Sequence, residues 1–155
     1  MQTRKLIPGN RSLRKGRANL HGQIYLITTC CSDRQPRFGD FWAAAQVARL
    51  SHDPTLWPHA RLLCWMLMPD HWHGLVELHS GSISDTVSRF KACTSRAINA
   101  IERRRGALWQ SGFHDHALRD DEDALACARY VIANPIRAGL VRSCRDWPFW
   151  NAVWL

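Results

Sequence analysis

Two histidines separated by one residue are the first feature of this sequence that could perform chemistry. His71 and His73 flank Trp72 at the start of an apolar run that is typical of a β-strand. Because side chains two positions apart on a strand point to the same face, the two imidazoles converge while the indole faces the core. Two imidazoles on one face form half of a metal site. Structural and exposed histidine pairs share this spacing, so the pattern alone leaves both interpretations open.

A tyrosine and an asparagine form a second candidate. Tyr130 and Asn134 lie four residues apart in a segment of helical composition that ends at an Asn-Pro step, so both side chains point to the same side of the helix. A phenol and an amide oxygen would therefore point the same way. A tyrosine inside an apolar helix is also a common core residue. The other tyrosine of the chain, Tyr25, lies in a predicted buried strand.

A second histidine pair repeats the same spacing at His114 and His116. The pattern favours a pair at a sheet edge that takes no direct part in chemistry. Contact with a phosphate and a role in acid–base chemistry are two alternatives. A third is a four-histidine zinc site formed with His71 and His73, which requires all four imidazoles to converge.

Hydrophobic periodicity predicts the elements that must position these side chains. They are a strand at 24–31, a helix at 40–50, two strands at 61–68 and 72–78, a helix at 82–105, a strand at 108–119 and a helix at 120–133. Asp40 is the expected N-cap of the first helix, and Gly106 is expected to end the long one. The two middle strands form a hairpin. Since Pro69 cannot adopt a positive φ, we expect its loop to be wider than two residues, spanning Met68 to His71.

This order of elements predicts an α+β fold, a ferredoxin-like βαββαβ sandwich with an antiparallel central sheet. An additional C-terminal helix carries Tyr130, and its Asn-Pro step closes or bends it. Three tryptophans follow as an aromatic packing tail: Trp147, Trp150 and Trp154. No repeat or linker divides the chain, so we expect one domain at residues 21–155 after a separate arm at residues 1–20.

Charge is concentrated at the start of this 155-residue chain, whose net charge is +8. Residues 1–20 contain no acid and six basic side chains: Arg4, Lys5, Arg11, Arg14, Lys15 and Arg17. Such an arm suits a polyanion, most often a nucleic acid, although a solvated tail or an anionic membrane surface is an alternative. The outer side of the long helix is a second basic surface that could follow DNA or simply be solvated; its DNA-binding candidates are Arg89, Lys91 and Arg96.

Cysteine usage and hydropathy indicate the compartment. The six cysteines include no C-x-x-C pair, so buried reduced thiols are favoured over a thiolate zinc site. The sequence shows no apolar run of membrane-spanning length and no secretory signal pattern. We therefore expect a cytoplasmic protein with no membrane partner.

Two segments resemble a known family. Residues 69–76 (PDHWHGLV) and 130–141 (YVIANPIRAGLV) resemble the HUH single-tyrosine transposases, and most of all the REP-associated tyrosine transposases of bacteria. Shorter matching pieces lie at residues 13–17, 22–29 and 109–116. The resemblance extends over nearly the whole chain, roughly residues 13–150, and the order and spacing of the two main segments are specific.

The resemblance implies a role for each candidate residue. His71 and His73 would bind a divalent cation, Mg²⁺ or Mn²⁺. Tyr130 would be the nucleophile. Asn134 occupies the position where relatives place a polar third ligand, often glutamine, and its side chain is shorter. The family fold is also a ferredoxin-like sandwich, in agreement with the element order.

The implied activity is metal-dependent cleavage and rejoining of single-stranded DNA through a 5′-phosphotyrosine intermediate. The implied substrate is hairpin-forming repetitive extragenic palindromic DNA, with no small-molecule substrate. We expect a nucleoid-associated protein, and a monomer rather than a homodimer. The alternatives are a catalytically idle DNA-binding protein of the same fold and the histidine-coordinated zinc protein. The joint presence of the two histidines with Tyr130 and Asn134 argues against the idle protein.

Overall fold

The computed structural model describes residues 19–154, so the basic candidates of the arm lie outside the described residues. Five strands form one antiparallel sheet in the order β4-β1-β3-β2-β5. The strands are β1 (Ile24–Cys30), β2 (Ala60–Met68), β3 (His71–Leu78), β4 (His114–Ala117) and β5 (Trp150–Ala152). The helices are α1 (Phe41–Ser51), α2 (Ile83–Glu102), α3 (Ala124–Ile132) and α4 (Asn134–Arg137).

The first four strands with α1 and α2 follow the order β-α-β-β-α-β, and the additional helix α3 carries Tyr130. The predicted α+β, ferredoxin-like sandwich is therefore confirmed. The aromatic tail adds a strand that the sequence did not predict. β5 pairs with β2, and the indole of Trp147 donates to the carbonyl of Leu67 at 2.9 Å. Among the described residues, no helix is long and apolar enough to cross a membrane.

The sheet separates two apolar layers. On one face, α1 and α2 cover an aromatic cluster in which Trp72 lies between Trp57 and Phe90. On the other face, α3 packs Val131 and Ile132 against the sheet, where the core residues of β2 and β3 are Leu63, Cys64, Met66, Met68 and Leu75. Alternation along β3 thus sends Trp72 towards α1 and α2 and the flanking histidines towards α3.

Capping interactions determine where α1 begins and where α2 ends. Asp40 caps α1 as predicted, because its side chain accepts a hydrogen bond from the Ala43 N–H at 2.9 Å. The long helix α2 ends at Glu102 rather than near the predicted Gly106. Arg103 adopts a left-handed conformation with φ of 50°, and the Arg104 N–H reaches back to the carbonyl of Asn99. This closure ends the helix before the glycine is reached.

The β2–β3 loop contradicts the prediction of a wide turn. Met68 pairs with His71, so Pro69 and Asp70 alone form the loop. Neither residue has a positive φ. Backbone groups from an earlier part of the chain stabilise the turn instead. The carbonyls of Pro69 and Asp70 accept hydrogen bonds from the N–H groups of Phe38 and Cys31, respectively, each at 2.8 Å. The predicted width was wrong because these tertiary contacts allow a turn that keeps the φ of proline.

Two later elements are shorter than predicted. β4 covers His114–Ala117 rather than 108–119, and its upstream part contributes a single bridge from Trp109 to Cys31. Helix α3 begins at Ala124 rather than near residue 120, because Asp123 caps it by accepting from the Leu125 N–H. The Asn-Pro step bends the chain into α4, as expected of a helix interrupted by proline.

Candidate active site

The histidine pair lies on the central strand of the sheet. β3 is bonded on both sides, and His73 faces Thr28 of β1 and Met66 of β2 in the register. The rings of His71 and His73 are 4.8 Å apart between centroids and nearly perpendicular, with an angle of 85°. The expected convergence of the two imidazoles on one face is therefore confirmed.

Packing on the opposite face fixes the strand between the two histidines. Trp72 is 1% exposed, and its ring lies over Gly74, two residues further along β3. A Cβ at Gly74 would overlap three atoms of the indole. Glycine is therefore required for a close approach of side chain to backbone. Phe90 of α2 closes the other side of the indole at 4.3 Å between centroids.

Hydrogen bonds orient both imidazoles. Asp70 Oδ1 lies 2.6 Å from His71 Nδ1, and because an ionised carboxylate only accepts, that nitrogen is the donor. Thr28 Oγ1 lies 2.8 Å from His73 Nδ1. Asp70 also forms an ion pair with Arg34 at 2.9 Å. Such partners on the second nitrogen fix the ring orientation of metal-binding histidines.

The electrostatic surroundings keep His73 neutral. Burial, followed by repulsion from His71, lowers the pKa of His73 to about 3. The positive charges of Arg137 and Arg34 act in the same direction, and the carboxylate of Asp70 opposes them. The imidazole is therefore deprotonated at neutral pH, which is the form that binds a metal.

The two oriented imidazoles, of which that of His73 is neutral, fit half of a divalent metal site. Within residues 19–154, no group of three or more His, Cys, Asp or Glu side chains could hold a metal ion. The four-histidine zinc site is therefore contradicted for this part of the chain. The remaining ligands would have to be an amide such as that of Asn134, water, or oxygens of a substrate.

The tyrosine lies at the bend between α3 and α4. Tyr130 is 64% exposed, and the guanidinium carbon of Arg137 lies 3.8 Å from its ring centroid. Arg137 also donates to the carbonyl of Tyr130 at 2.6 Å and to Asn134 Oδ1 at 2.8 Å. Asn134 Nδ2 donates to the carbonyl of Val131 at 2.8 Å. Tyr130 and Asn134 therefore share Arg137 as a partner, although they lie in two helices, with α3 ending at Ile132 and α4 beginning at Asn134.

Sequence reasoning missed three residues of this site. Asp70 and Thr28 orient the histidines, and Arg137 joins the tyrosine to the asparagine. Asp70 could have been found from its position beside His71, and Arg137 from its spacing of three and seven residues from Asn134 and Tyr130. Thr28 gave no signal, because its contact depends on the register of β1 with β3.

The basic candidates on α2 lie on the other side of the sheet from the histidines. Arg89 donates to the carbonyl of Thr55 at 3.1 Å, and Arg96 to Cys93 Sγ at 3.4 Å. Lys91 donates to the carbonyls of Gln110 and Gly112, the latter at 3.0 Å. Contact with DNA stays a prediction for these three residues, as it does for the arm.

A family model described as "Transposase IS200 like" matches residues 19–134, a range that contains both histidines, Tyr130 and Asn134. The chain belongs to the IS200-like transposase family. A REP-associated tyrosine transposase of Escherichia coli K12 is 31% identical over 85 residues, which cover 55% of this chain and 50% of that protein. A Haemophilus influenzae protein provisionally given the same name is 30% identical over 94 residues, 54% of this chain and 53% of that one. The chain spans about half the length of these curated relatives.

A solved structure supports the family fold. It is described as a REP-associated tyrosine transposase bound to a REP hairpin. It superposes on 86% of this IS200-like chain and 79% of its own with a TM-score of 0.71, at 21% identity. At that identity the likeness shows the fold.

Proposed function

We propose that this IS200-like transposase cleaves and rejoins single-stranded DNA through a covalent bond between Tyr130 and a 5′-phosphate. The observation that carries the proposal is the pairing of two converging, oriented histidines with an exposed tyrosine on the helix that packs over the same face of the sheet. Family membership supports a DNA-processing reaction for these groups.

The proposed reaction balances without an external energy source. Tyr130 Oη forms a bond to phosphorus as the bond from phosphorus to the 3′-oxygen breaks, and the phenolic proton passes overall to the departing 3′-oxygen. The products are a 5′-phosphotyrosine and a free 3′-hydroxyl. Because one phosphodiester is exchanged for another, a second 3′-hydroxyl can reverse the step at a new junction without ATP.

We further propose that His71 and His73 hold a divalent cation, Mg²⁺ or Mn²⁺, with Asn134 as a third ligand. When bound, the cation would offset the negative charge of the scissile phosphate. The three protein ligands are neutral, so the cation keeps most of its charge for that task. Imidazoles suit Mn²⁺ better than Mg²⁺, which prefers oxygen ligands, so we expect tighter binding of Mn²⁺.

The proposed substrate is hairpin-forming repetitive extragenic palindromic DNA. The names of the two curated relatives and the hairpin in the superposed structure support it. The net charge of +8 suits a polyanion. We propose that the arm binds the DNA backbone, with a second contact along α2, and that one domain at residues 21–155 acts as a monomer in the cytoplasm at the nucleoid.

Removal of the Tyr130 hydroxyl tests the proposed function. In a Tyr130→Phe protein we expect cleavage of a single-stranded hairpin and formation of the covalent adduct to fall below detection, because the ring stays and only the nucleophile is lost. Hairpin binding should stay within a few-fold. Tyr25→Phe is the matched control, since Tyr25 is buried in β1, and it should form the adduct at the normal rate.

The same assay identifies the idle alternative. Hairpin binding by the unmodified protein without any cleavage would establish a DNA-binding protein instead. An adduct that persists in Tyr130→Phe would place the nucleophile elsewhere and contradict the proposal.

A further inference from the structure

One guanidinium connects the main groups at the α3–α4 bend. Arg137 stacks on the Tyr130 ring at 3.8 Å, donates through Nη1 to the carbonyl of Tyr130 and donates through Nη2 to Asn134 Oδ1. Only a planar group with several fixed donors can stack and form two directed hydrogen bonds at once. Lysine at this position would keep the charge and lose the geometry.

The contact with Asn134 settles which way its amide points. Asn134 Nδ2 donates to the carbonyl of Val131, and Oδ1 accepts from Arg137, each at 2.8 Å. A half-turn of the amide would set NH₂ against the guanidinium and oxygen against a carbonyl oxygen. Both partners therefore select one orientation, and the second lone pair of Oδ1 stays available to a cation.

The bend that holds these groups lies on the histidine face of the sheet, because Val131 and Ile132 of α3 pack there with Met66 and Leu75. Arg137 itself stands three residues beyond the range matched by the family model.

We propose that Arg137 is a positioning residue of this site: it fixes the ring of Tyr130 and the amide oxygen of Asn134 in one geometry relative to the histidine pair. The inference rests on the proposed function, in which Tyr130 is the nucleophile and Asn134 a ligand. Arginine near the end of a helix also stabilises helices generally. The test must therefore separate positioning from stability.

The first measurement separates the chemical step from binding. With saturating hairpin DNA, we expect Arg137→Ala to lower the rate of adduct formation by about 10- to 100-fold, because small displacements of reacting groups have effects of that size. The Kd for the hairpin should change by less than about 3-fold, the phosphate contacts of the rest of the surface being retained. Arg137→Lys should be as slow as Arg137→Ala, and added methylguanidinium should restore part of the rate to Arg137→Ala.

Arg142→Ala is the matched control, since it removes the same charge from an exposed side chain five residues further along the chain and should keep the normal rate. A normal rate in Arg137→Ala would overturn the inference. A normal rate in Arg137→Lys would assign the effect to charge instead of geometry. Loss of rate without any rescue by methylguanidinium, accompanied by a lower Tm, would leave a structural role only.

The second measurement needs no catalysis. Mn²⁺ titration should show weaker binding in Arg137→Ala and in Asn134→Ala, and the double variant should be no weaker than Asn134→Ala alone, since Arg137 acts through that amide. Equal Mn²⁺ affinity in the unmodified protein and Arg137→Ala would overturn the inference. Absence of any adduct from the unmodified protein would overturn the proposed function alone, because the Mn²⁺ titration still reports on the geometry that Arg137 imposes.

Discussion

The chain contains the same His-x-His spacing twice, at His71 and His73 and at His114 and His116, with different results. The first pair lies on β3, at the centre of the sheet, where each ring has a hydrogen-bond partner on Nδ1. The second pair lies on the edge strand β4, where both side chains are exposed. Spacing alone places two imidazoles on one face in both cases; the position of the strand determines what they can do.

The sheet register explains why the two pairs do not combine. Thr28 of β1 faces His73 on one side and His114 on the other, so these side chains form one row across three strands. Two strand spacings, about 10 Å between backbones, separate the ends of the row, with Thr28 between them. No group of three or more His, Cys, Asp or Glu side chains within residues 19–154 could hold a metal ion. His116 bonds through Nε2 to the exposed carboxylate of Glu122 at 2.8 Å instead.

Alanine substitutions in the two pairs give the largest expected contrast. His71→Ala or His73→Ala should lower metal-dependent cleavage by about 100-fold or more, because loss of a metal's charge on a phosphoryl group costs several kcal/mol in the barrier. His114→Ala and His116→Ala should stay within a few-fold. Hairpin cleavage with Mn²⁺ and with excess EDTA measures both. Full activity of any protein in EDTA would remove the metal from the mechanism, and equal losses in the two pairs would remove the distinction between them.

The pH dependence of the free energy of unfolding should also distinguish the central pair from the edge pair, with a smaller effect than the alanine substitutions. The pKa of His73 is held at about 3, below its ordinary value of 6.5, so between these values the unfolded chain binds a proton that the folded chain does not. The free energy of unfolding should therefore fall as the pH drops from 6.5 towards 3, by up to about 1.4 kcal/mol per pH unit from this group.

Urea unfolding in EDTA at pH 7 and pH 4.5 measures this slope. His73→Gln should lose less stability on acidification than the unmodified protein, while His114→Gln should match the unmodified protein. Comparison between proteins cancels the contribution of the carboxylates. An equal loss of unfolding free energy between pH 7 and pH 4.5 in all three proteins would show that burial does not keep His73 neutral.

A packing substitution behind the first pair should have the smallest effect of the three. Gly74→Ala should lower the free energy of unfolding by about 1–3 kcal/mol, because its methyl group collides with the buried indole of Trp72. Gly39→Ala is the matched control, since nothing lies within 4 Å of a Cβ at that position and its φ is not positive. Thermal unfolding measures both. Equal Tm values would show that the strand tolerates movement of Trp72 and does not depend on this packing.

The sequence was sufficient for the order of the elements and for the convergence of His71 and His73, because both follow from local periodicity. It was insufficient for features that depend on contacts distant in the chain. The tight turn at Pro69 and Asp70 is held by Phe38 and Cys31. Strand β5 forms by pairing with the edge of β2. The residue pattern of the short aromatic tail does not predict this pairing.

The position of the basic surface on α2 could not be predicted from the sequence either, because it also depends on how distant parts of the chain pack. Periodicity correctly placed Arg89, Lys91 and Arg96 on one helix, but only the topology shows that α2 covers the face opposite the histidines. Arg137 lay within the segment that carried the resemblance, and its spacing from Asn134 was a signal that sequence reasoning did not use. Its contact with Tyr130 crosses the bend between α3 and α4, which the spacing does not show.

Identification of the amino acid that carries DNA tests the central claim most directly. After reaction with a hairpin substrate, nuclease and trypsin digestion should leave a phosphonucleotide on the peptide at residues 130–137 (YVIANPIR), since Arg129 and Arg137 are its cleavage points. Tandem mass spectrometry assigns the modified side chain. We predict the added mass on Tyr130. The same mass on the peptide at residues 18–34, which contains Tyr25, or cleaved DNA with no modified tyrosine, would contradict a phosphotyrosine mechanism at this site.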